Sequence, residues 1–207
     1  ARKNGFEDTK LMPWDFSYWS ERYQEAEYAL NAEELKPYFQ LESCIDAVFG
    51  LANRLYGINF KELDNVPVYH EDVKVYEVTE ADGTHLALFY ADFFPRASKR
   101  GGAWMTEFRG QSIKDGVERR PFISTVMNFT KPTADAPALI THDELTTFLH
   151  EFGHALHGMF AQGRYGSLTG TNVSRDFVEL PSQIMENWAF EPEYLNSFAK
   201  HYQTGEP

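Results

Sequence analysis

The run His150-Glu151-Phe152-Gly153-His154 restricts the fold of this 207-residue chain more than any other feature. Side chains four positions apart lie on one face of an α-helix, so the two imidazoles can share a metal ion if the run is helical. Two histidine nitrogens at this spacing suit a tetrahedral zinc ion, and Glu151 would lie beside the metal as a general base for water. The run therefore predicts a metal-binding helix with hydrolytic chemistry.

The residues around this run support a helix. Thr141 and Glu144 have the spacing of a capping box, in which each side chain bonds the backbone N–H of the other residue. An apolar face follows and predicts a buried helix that ends near Gly163. That face consists of Leu145, Phe148, Leu149, Phe152, Leu156 and Phe160.

Gly153 is unusual because glycine in a helix interior costs about 1 kcal/mol relative to alanine. Two interpretations remain open from the residues alone. Either another segment crosses the helix closely at this point, or the metal needs room there.

A catalytic zinc ion needs a third protein ligand and an open position. Glu179 and Glu186 both follow the motif within a second helical pattern, and Pro181 is typical of a first helical turn. Glu179 is therefore expected near the start of that helix. Ligand histidines usually donate their second N–H to a carboxylate or a carbonyl, a role open to Asp176 and Glu186.

These motifs resemble the thimet oligopeptidase family of zinc metallopeptidases, which includes oligopeptidase A and the peptidyl-dipeptidases. The likeness is carried by Asn128-Phe129-Thr130-Lys131-Pro132, by residues 150–157, and by Asp176-Phe177-Val178-Glu179-Leu180-Pro181-Ser182-Gln183. It extends upstream through Trp14-Asp15-Phe16, Val68-Tyr69-His70-Glu71-Asp72-Val73 and Gly101-Gly102-Ala103-Trp104-Met105. The upstream segments are most similar to the peptidyl-dipeptidase branch.

The resemblance implies one Zn²⁺ per chain, bound by His150, His154 and Glu179, with Glu151 as the catalytic base. It implies short peptides as substrates and, for the peptidyl-dipeptidase branch, release of dipeptides from free C-termini. An oligopeptidase that cleaves internal bonds is the alternative within the family. Release of dipeptides would require a cation that binds the C-terminal carboxylate of the substrate. The three candidates for this cation are Lys99, Arg100 and Arg109.

Members of this family are longer than 207 residues, and a His/Tyr-rich segment that supports the oxyanion has no match in residues 196–207. We therefore expect the chain to be a catalytic-core fragment, with the rest of the same polypeptide at both ends. Oxyanion donors typically contribute about 10²–10³ in rate each, so the isolated fragment is expected to be weakly active or inactive.

The periodicity predicts an α+β fold that is mainly helical, with a small, mostly antiparallel sheet beside the metal-binding helix, as in zincin-like catalytic cores. Residues 15–30 and 41–56 have helical spacing, and alternation from Val68 onward predicts strands. The expected organisation is helical over 1–66, a small sheet over 67–130, and zinc-site helices over 141–203. The aromatic side chains of the first helical region are expected to serve core and helix packing rather than to form a ligand site; they are Trp14, Trp19 and Tyr23.

Residues 101–105 are the candidate for the sheet edge above the metal helix, where a peptide can pair as an added strand. Gly102 and Ala103 would then contact substrate, although an ordinary glycine-rich loop is the other interpretation. His157 lies near the same helical face as His154 and is a further candidate for substrate binding.

Composition excludes several classes of partner. The net charge of −12 argues against nucleic acid, and the sequence contains no apolar run long enough to span a membrane. The single cysteine, Cys44, is compatible with a cytoplasmic location, with the periplasm as the alternative. Two rival functions are a non-catalytic metal-binding domain and a metal-free glycosidase with paired carboxylates.

Overall fold

The computed structural model describes residues 10–28 and 32–207. Six α-helices lie in this part of the chain. They are α1 (Pro13–Tyr28), α2 (Ala32–Leu35), α3 (Leu41–Tyr56), α4 (His142–Met159), α5 (Leu180–Glu186) and α6 (Pro192–Phe198). Short 3₁₀ turns cover Lys36–Tyr38, Gly166–Leu168 and Asn187–Phe190. None of the helices in the described ranges is both long and apolar enough to cross a bilayer.

The strands form one five-stranded sheet and a separate hairpin. They are β1 (Asn59–Glu62), β2 (Lys74–Thr79), β3 (His85–Asp92), β4 (Trp104–Arg109), β5 (Ser112–Lys114), β6 (Val117–Arg119) and β7 (Phe122–Val126). The order in the large sheet is β1-β2-β3-β7-β4, and β5 pairs with β6. Only the β3–β7 pair of the large sheet is parallel, so the predicted mostly antiparallel sheet is confirmed.

Helix α4 begins with the predicted capping box. Thr141 Oγ1 accepts a hydrogen bond from the Glu144 N–H at 3.1 Å, and Glu144 Oε2 accepts one from the Thr141 N–H at 2.8 Å. The helix ends at Met159, four residues before the predicted Gly163. Arg120 stabilises this end, because its guanidinium donates to the carbonyls of Met159 and Ala161.

One face of the sheet packs on α4. Phe152 is fully buried and contacts the rings of Phe49, Phe60 and Phe89, which come from α3, β1 and β3. Cys44 is buried in the same core. The run from His150 to His154 therefore belongs to a helix that is fixed by the main hydrophobic core.

Two features at the N-terminal side differ from expectation. Strand β1 lies within residues 1–66, where helices are predicted, because Gly57 ends α3 in a left-handed conformation and Phe60 then stacks on Phe49. The helix predicted over 15–30 is α1; residues 29 and 30 lie outside the described residues. Helix α1 buries no residue, and Trp14 and Tyr23 are 74% and 55% exposed, so the expected core packing of these two rings is wrong. Packing within the helix is present, since Trp19 contacts Tyr18 and Tyr23 contacts Tyr28.

Candidate metal centre

Helix α4 brings His150 and His154 together on one face. Their ring centroids are 4.9 Å apart, and the planes are nearly perpendicular. The histidine side chains are 24% and 12% exposed, so both rings are partly shielded yet reachable from the surface. The helical spacing of the motif thus produces the expected pair of adjacent imidazoles.

Glu179, the residue immediately before α5, completes the group. Its Oε2 lies 3.3 Å from His150 Nε2 and 3.2 Å from His154 Nε2. The same oxygen accepts a hydrogen bond of 2.9 Å from Ser182 Oγ, three residues further along. Pro181 is in the first turn of α5, as expected, and Glu179 is the cap residue rather than part of that turn.

Gly153 allows α5 to approach α4 this closely. A Cβ atom at this position would lie 2.5 Å from the Pro181 carbonyl oxygen and 2.6 Å from the Ser182 Cα. Such distances are far below van der Waals contact. The structure therefore supports a tight crossing as the reason for the glycine, and that crossing is what carries Glu179 to the histidines.

The three side chains fit a tetrahedral zinc ion by their spacing. Ligand atoms bound to zinc at about 2.0–2.1 Å in tetrahedral geometry lie about 3.3 Å from one another. The two contacts of Glu179 Oε2 match this separation, and all three residues offer ligand atoms within 4.8 Å of one another. Two imidazoles and one carboxylate also leave a coordination position open, as catalytic zinc sites require.

The charge states of the ligands suit metal binding. Burial lowers the pKa of His154 and so favours the neutral imidazole. The Ser182 hydrogen bond, with the neighbouring histidines, holds the pKa of Glu179 below its usual range and favours the carboxylate. Metal ions bind the deprotonated forms of both residue types, so neither needs to lose a proton near neutral pH.

Glu186 contacts the second ring nitrogen of His150, the one that does not face Glu179. Its Oε1 lies 2.6 Å from His150 Nδ1, a contact that leaves Nε2 directed to Glu179. This is the arrangement in which a ligand histidine donates its second N–H to a carboxylate. Asp176 is exposed in the turn before α5. Of the two candidates for this role, the structure brings only Glu186 to a ring nitrogen of His150.

Glu151 lies at the base of a cavity of about 410 Å³ that also contains the two histidines and Glu179. The residue is only 7% exposed, and burial raises the pKa of its carboxyl. The His150 charge and a hydrogen bond from the Met105 N–H oppose this increase, whereas the Glu179 charge adds to it. A carboxyl group with a raised pKa is suited to accept a proton and return it.

Strand β4 forms the other wall of this cavity and is an edge of the large sheet. Ala103 and Met105 line the cavity, whereas the strand itself begins at Trp104 rather than at Gly101. Gly102 precedes it with a φ of 90° and accepts a hydrogen bond on its carbonyl. The predicted edge is therefore present, and the two glycines form the loop that leads into it.

Other candidate residues lie elsewhere. His157 lines a separate cavity of about 420 Å³ with Leu156 and Phe160. The Lys99 ammonium group donates hydrogen bonds to the carbonyls of Asp92 and Phe94 and to the Asp92 carboxylate. Arg109 donates to the Arg120 carbonyl. Neither cation lines the metal cavity.

Several residues at the site were not singled out by sequence reasoning. Ser182 had a local signal, since a hydroxyl three residues after a helix-start carboxylate can reach it. The cavity residue Thr171 had none, and Trp104 and Val178 were noted only as parts of the segments 101–105 and 176–183, because the cavity joins three separate segments. Only the fold brings these segments together.

Comparison with known proteins identifies relatives of this chain. The chain is 48% identical over 195 residues to the dipeptidyl carboxypeptidase of Escherichia coli, a match that covers 94% of the chain and 28% of that protein. It is 42% identical to E. coli oligopeptidase A over 96% of the chain and 29% of the relative. A probable cytosolic oligopeptidase A of Arabidopsis thaliana is 46% identical over 97% of the chain and 30% of its own length. The chain thus spans less than a third of these relatives. The profile of peptidase family M3 matches residues 1–207, and the chain belongs to this family.

Proposed function

We propose that the full-length protein is a zinc metallopeptidase that hydrolyses bonds in short peptides. The observation that carries this proposal is the group of His150, His154 and Glu179, whose ligand atoms lie at tetrahedral zinc spacing beside the buried Glu151. Membership of peptidase family M3 supports the same reaction class. A structural zinc site is disfavoured because such sites usually have four protein ligands and favour cysteine.

The residues divide the chemistry among them. His150, His154 and Glu179 would hold the metal, and Glu186 would orient His150 through Nδ1. When bound, zinc would polarise the scissile carbonyl and lower the pKa of its water to about 7. Glu151 would accept the proton of the attacking water and then deliver it to the leaving amine.

The most specific form of the proposal is release of C-terminal dipeptides. Two matched relatives named dipeptidyl carboxypeptidase are 48% and 49% identical, against 42% for oligopeptidase A of E. coli. The oligopeptidase of Arabidopsis thaliana, at 46%, is nearly as similar, so cleavage at internal bonds is the alternative activity.

The substitution Glu151→Gln tests the general base. In the full-length protein, we expect peptide hydrolysis to fall by about 10²–10⁴, the usual contribution of general acid–base catalysis. Zinc content should remain near one equivalent, because the substitution leaves all three ligands in place. Turnover of a fluorogenic peptide and elemental analysis of the same sample measure the two quantities.

Two further variants make this result specific. Glu193→Gln removes an exposed carboxylate at the start of α6 and should leave both quantities unchanged. Glu179→Ala should lose the metal as well as the activity. Unchanged turnover in Glu151→Gln would contradict the role of the base, and full zinc retention in Glu179→Ala would contradict the ligand set.

A further inference from the structure

Residues 100–103, which we name the entry segment, connect the loop after β3 to edge strand β4. Gly101 and Gly102 are both exposed, and Gly102 adopts a φ of 90°. Glycine has more backbone freedom than any other residue, so two in succession leave the entry segment with little intrinsic order. Contacts from elsewhere in the fold must therefore determine its path.

Asn128 supplies these contacts. Its side-chain amide donates to the Arg100 carbonyl at 2.9 Å and to the Gly102 carbonyl at 2.7 Å. Both amide hydrogens are used, one on each side of Gly101. Within residues 10–28 and 32–207, Asn128 provides the side-chain hydrogen bonds that reach the backbone of the entry segment.

The backbone of Asn128 is itself held firmly. The neighbouring Met127 N–H donates to the Asp92 carbonyl at 2.7 Å, and the Phe129 N–H donates to the Phe93 carbonyl at 2.8 Å. Met127 and Phe129 are both buried in the core. Asn128 therefore projects from a rigid base toward a segment with little order of its own.

The start of the same loop is fixed independently. Asp92, at the end of β3, is fully buried and accepts paired hydrogen bonds from Arg96 and a further one from Lys99. These contacts end at residue 99, one position before the entry segment. The loop thus has two anchors, and Asn128 is the one nearest the metal cavity.

The position of the entry segment has consequences at the metal centre. Ala103 and Met105 line the cavity that Glu151 also lines. In antiparallel pairing, a residue directs its N–H and C=O to the same side. Alternate residues of β4 therefore present their N–H and C=O groups along the open edge of the strand, where an extended peptide can pair.

We propose that Asn128 is a positioning residue for substrate, because it holds the entry segment so that the open edge of β4 can pair with the peptide backbone. This inference rests on the proposed peptidase function. Asn128 touches neither the metal group nor Glu151 in its hydrogen bonds, so it acts through the entry segment.

The variant Asn128→Asp provides the sharpest test. A carboxylate has the same shape as the amide but no hydrogen to donate, so it would face two carbonyl oxygens and repel them. Backbone pairing stabilises bound substrate and transition state alike, so its loss should raise KM by about tenfold while kcat changes less than twofold. Zinc-loaded full-length protein and a fluorogenic peptide measure both constants.

The matched control is Asn53→Asp. Asn53 Nδ2 also has two acceptors, the Ile58 carbonyl and Asn59 Oδ1, but it lies in the last turn of α3, beside β1, and lines no part of the metal cavity. Its KM should equal that of the unaltered protein. Asn128→Ala is a second variant, which removes the donors without adding charge and should give the same change in KM to a smaller degree.

Hydrogen exchange of metal-free full-length protein gives a reading that does not depend on catalysis. In Asn128→Asp, the amides of residues 101–105 should exchange faster, whereas those of α4 should not change. Equal KM values for Asn128→Asp and Asn53→Asp, a loss confined to kcat, or unchanged exchange in residues 101–105 would each overturn the proposal. An unaltered protein that binds zinc yet hydrolyses no peptide would instead refute the proposed function.

Discussion

Asp92 shows how one buried charge is satisfied beside the candidate site. The residue is fully buried, and its carboxylate accepts hydrogen bonds from Arg96, Lys99 and the Tyr69 hydroxyl. Burial alone raises the pKa of Asp92, but the Arg96 and Lys99 hydrogen bonds outweigh it and hold that pKa below its usual range. The folded state therefore favours the charged carboxylate.

This shift predicts a specific dependence of stability on pH. A lowered pKa in the folded state stabilises the protein above the unfolded value of about 3.9, and this contribution is lost as pH falls through the folded value. Asp92→Asn should cost about 3–5 kcal/mol at pH 7, since it leaves buried Lys99 without its counter-ion. Denaturant unfolding of the full-length protein from pH 7 down to pH 3 measures the difference.

Below about pH 4 the difference between Asp92→Asn and the unaltered protein should shrink, because Asp92 binds a proton in the unfolded chain at a pH where it is still charged in the folded protein. Asp135→Asn is the control, since Asp135 is exposed in a loop. A difference that stays constant over the whole range would show that the charge of Asp92 is not what stabilises the fold.

The crossing of α4 and α5 links helix packing to metal binding. Gly153 has no side chain between the helices, and the Pro181 carbonyl occupies the space a Cβ would need. Glu179 reaches the histidines only because α5 begins this close to α4. A change at Gly153 should therefore affect both stability and zinc affinity, although the residue binds nothing itself.

Gly153→Ala is expected to destabilise the protein by about 1–3 kcal/mol, the usual cost of overpacking. It should also weaken zinc binding by about tenfold or more, because Glu179 moves away with α5. Thermal unfolding of the metal-free protein and competition with a zinc chelator measure these effects.

Gly50→Ala is the matched control for this prediction. Gly50 lies inside α3, and a Cβ added there meets no atom within 4 Å. Alanine should stabilise that helix by about 1 kcal/mol through its higher helix propensity. Equal effects of the two substitutions would contradict the proposed role of the crossing.

Local sequence signals predicted α4 and its histidine pair well. The capping box, the apolar face and the His150–His154 spacing all act within a few residues, and each was found as expected. The crossing was less predictable, since Gly153 alone could not distinguish close packing from room for a metal. The exposure of the aromatic rings on α1 was not predictable either, because the spacing of aromatic residues does not show which segment covers them.

The larger arrangement depends on contacts between distant segments. Strand β1 departed from the expected helical region because its place is set by stacking of Phe60 on Phe49 and by pairing with β2. The sequence analysis noted Asn128 only as part of the motif at residues 128–132. Its proposed role follows from the hydrogen bonds that it donates to the Arg100 and Gly102 carbonyls in the folded chain. Spacing in one sequence contains no direct information about such pairs.

The match with this chain covers less than a third of each relative's length. Substrate specificity must therefore be tested on the full-length protein. If it is a peptidyl-dipeptidase, it should release a dipeptide from a peptide with a free C-terminus and fail on the same peptide with an amidated C-terminus. Recognition of a carboxylate normally requires a charge-assisted partner, which an amide cannot satisfy. Mass spectrometry of the products distinguishes the two activities.

Cleavage of both peptides at internal bonds would exclude dipeptide release and support the oligopeptidase alternative. The metal group and Glu151 would keep their proposed roles in either case, because both activities break the same kind of bond. This experiment therefore tests substrate selection separately from chemistry.

The parallel pairing of β3 with β7 connects one wall of the candidate site to the rest of the sheet. Strand β4 pairs with β7 alone, and β7 reaches β3 only after a connection of 29 residues, 93–121, has closed. Strand β4 lies within this connection and is separated from β7 by residues 110–121 only, so β4 and β7 can pair with each other before β7 docks on β3. By the same connectivity, β4 can separate without disturbing β1, β2 or β3. The wall that faces the candidate metal centre is thus attached to the sheet by one strand pair, and local opening can release it while β1, β2 and β3 stay paired.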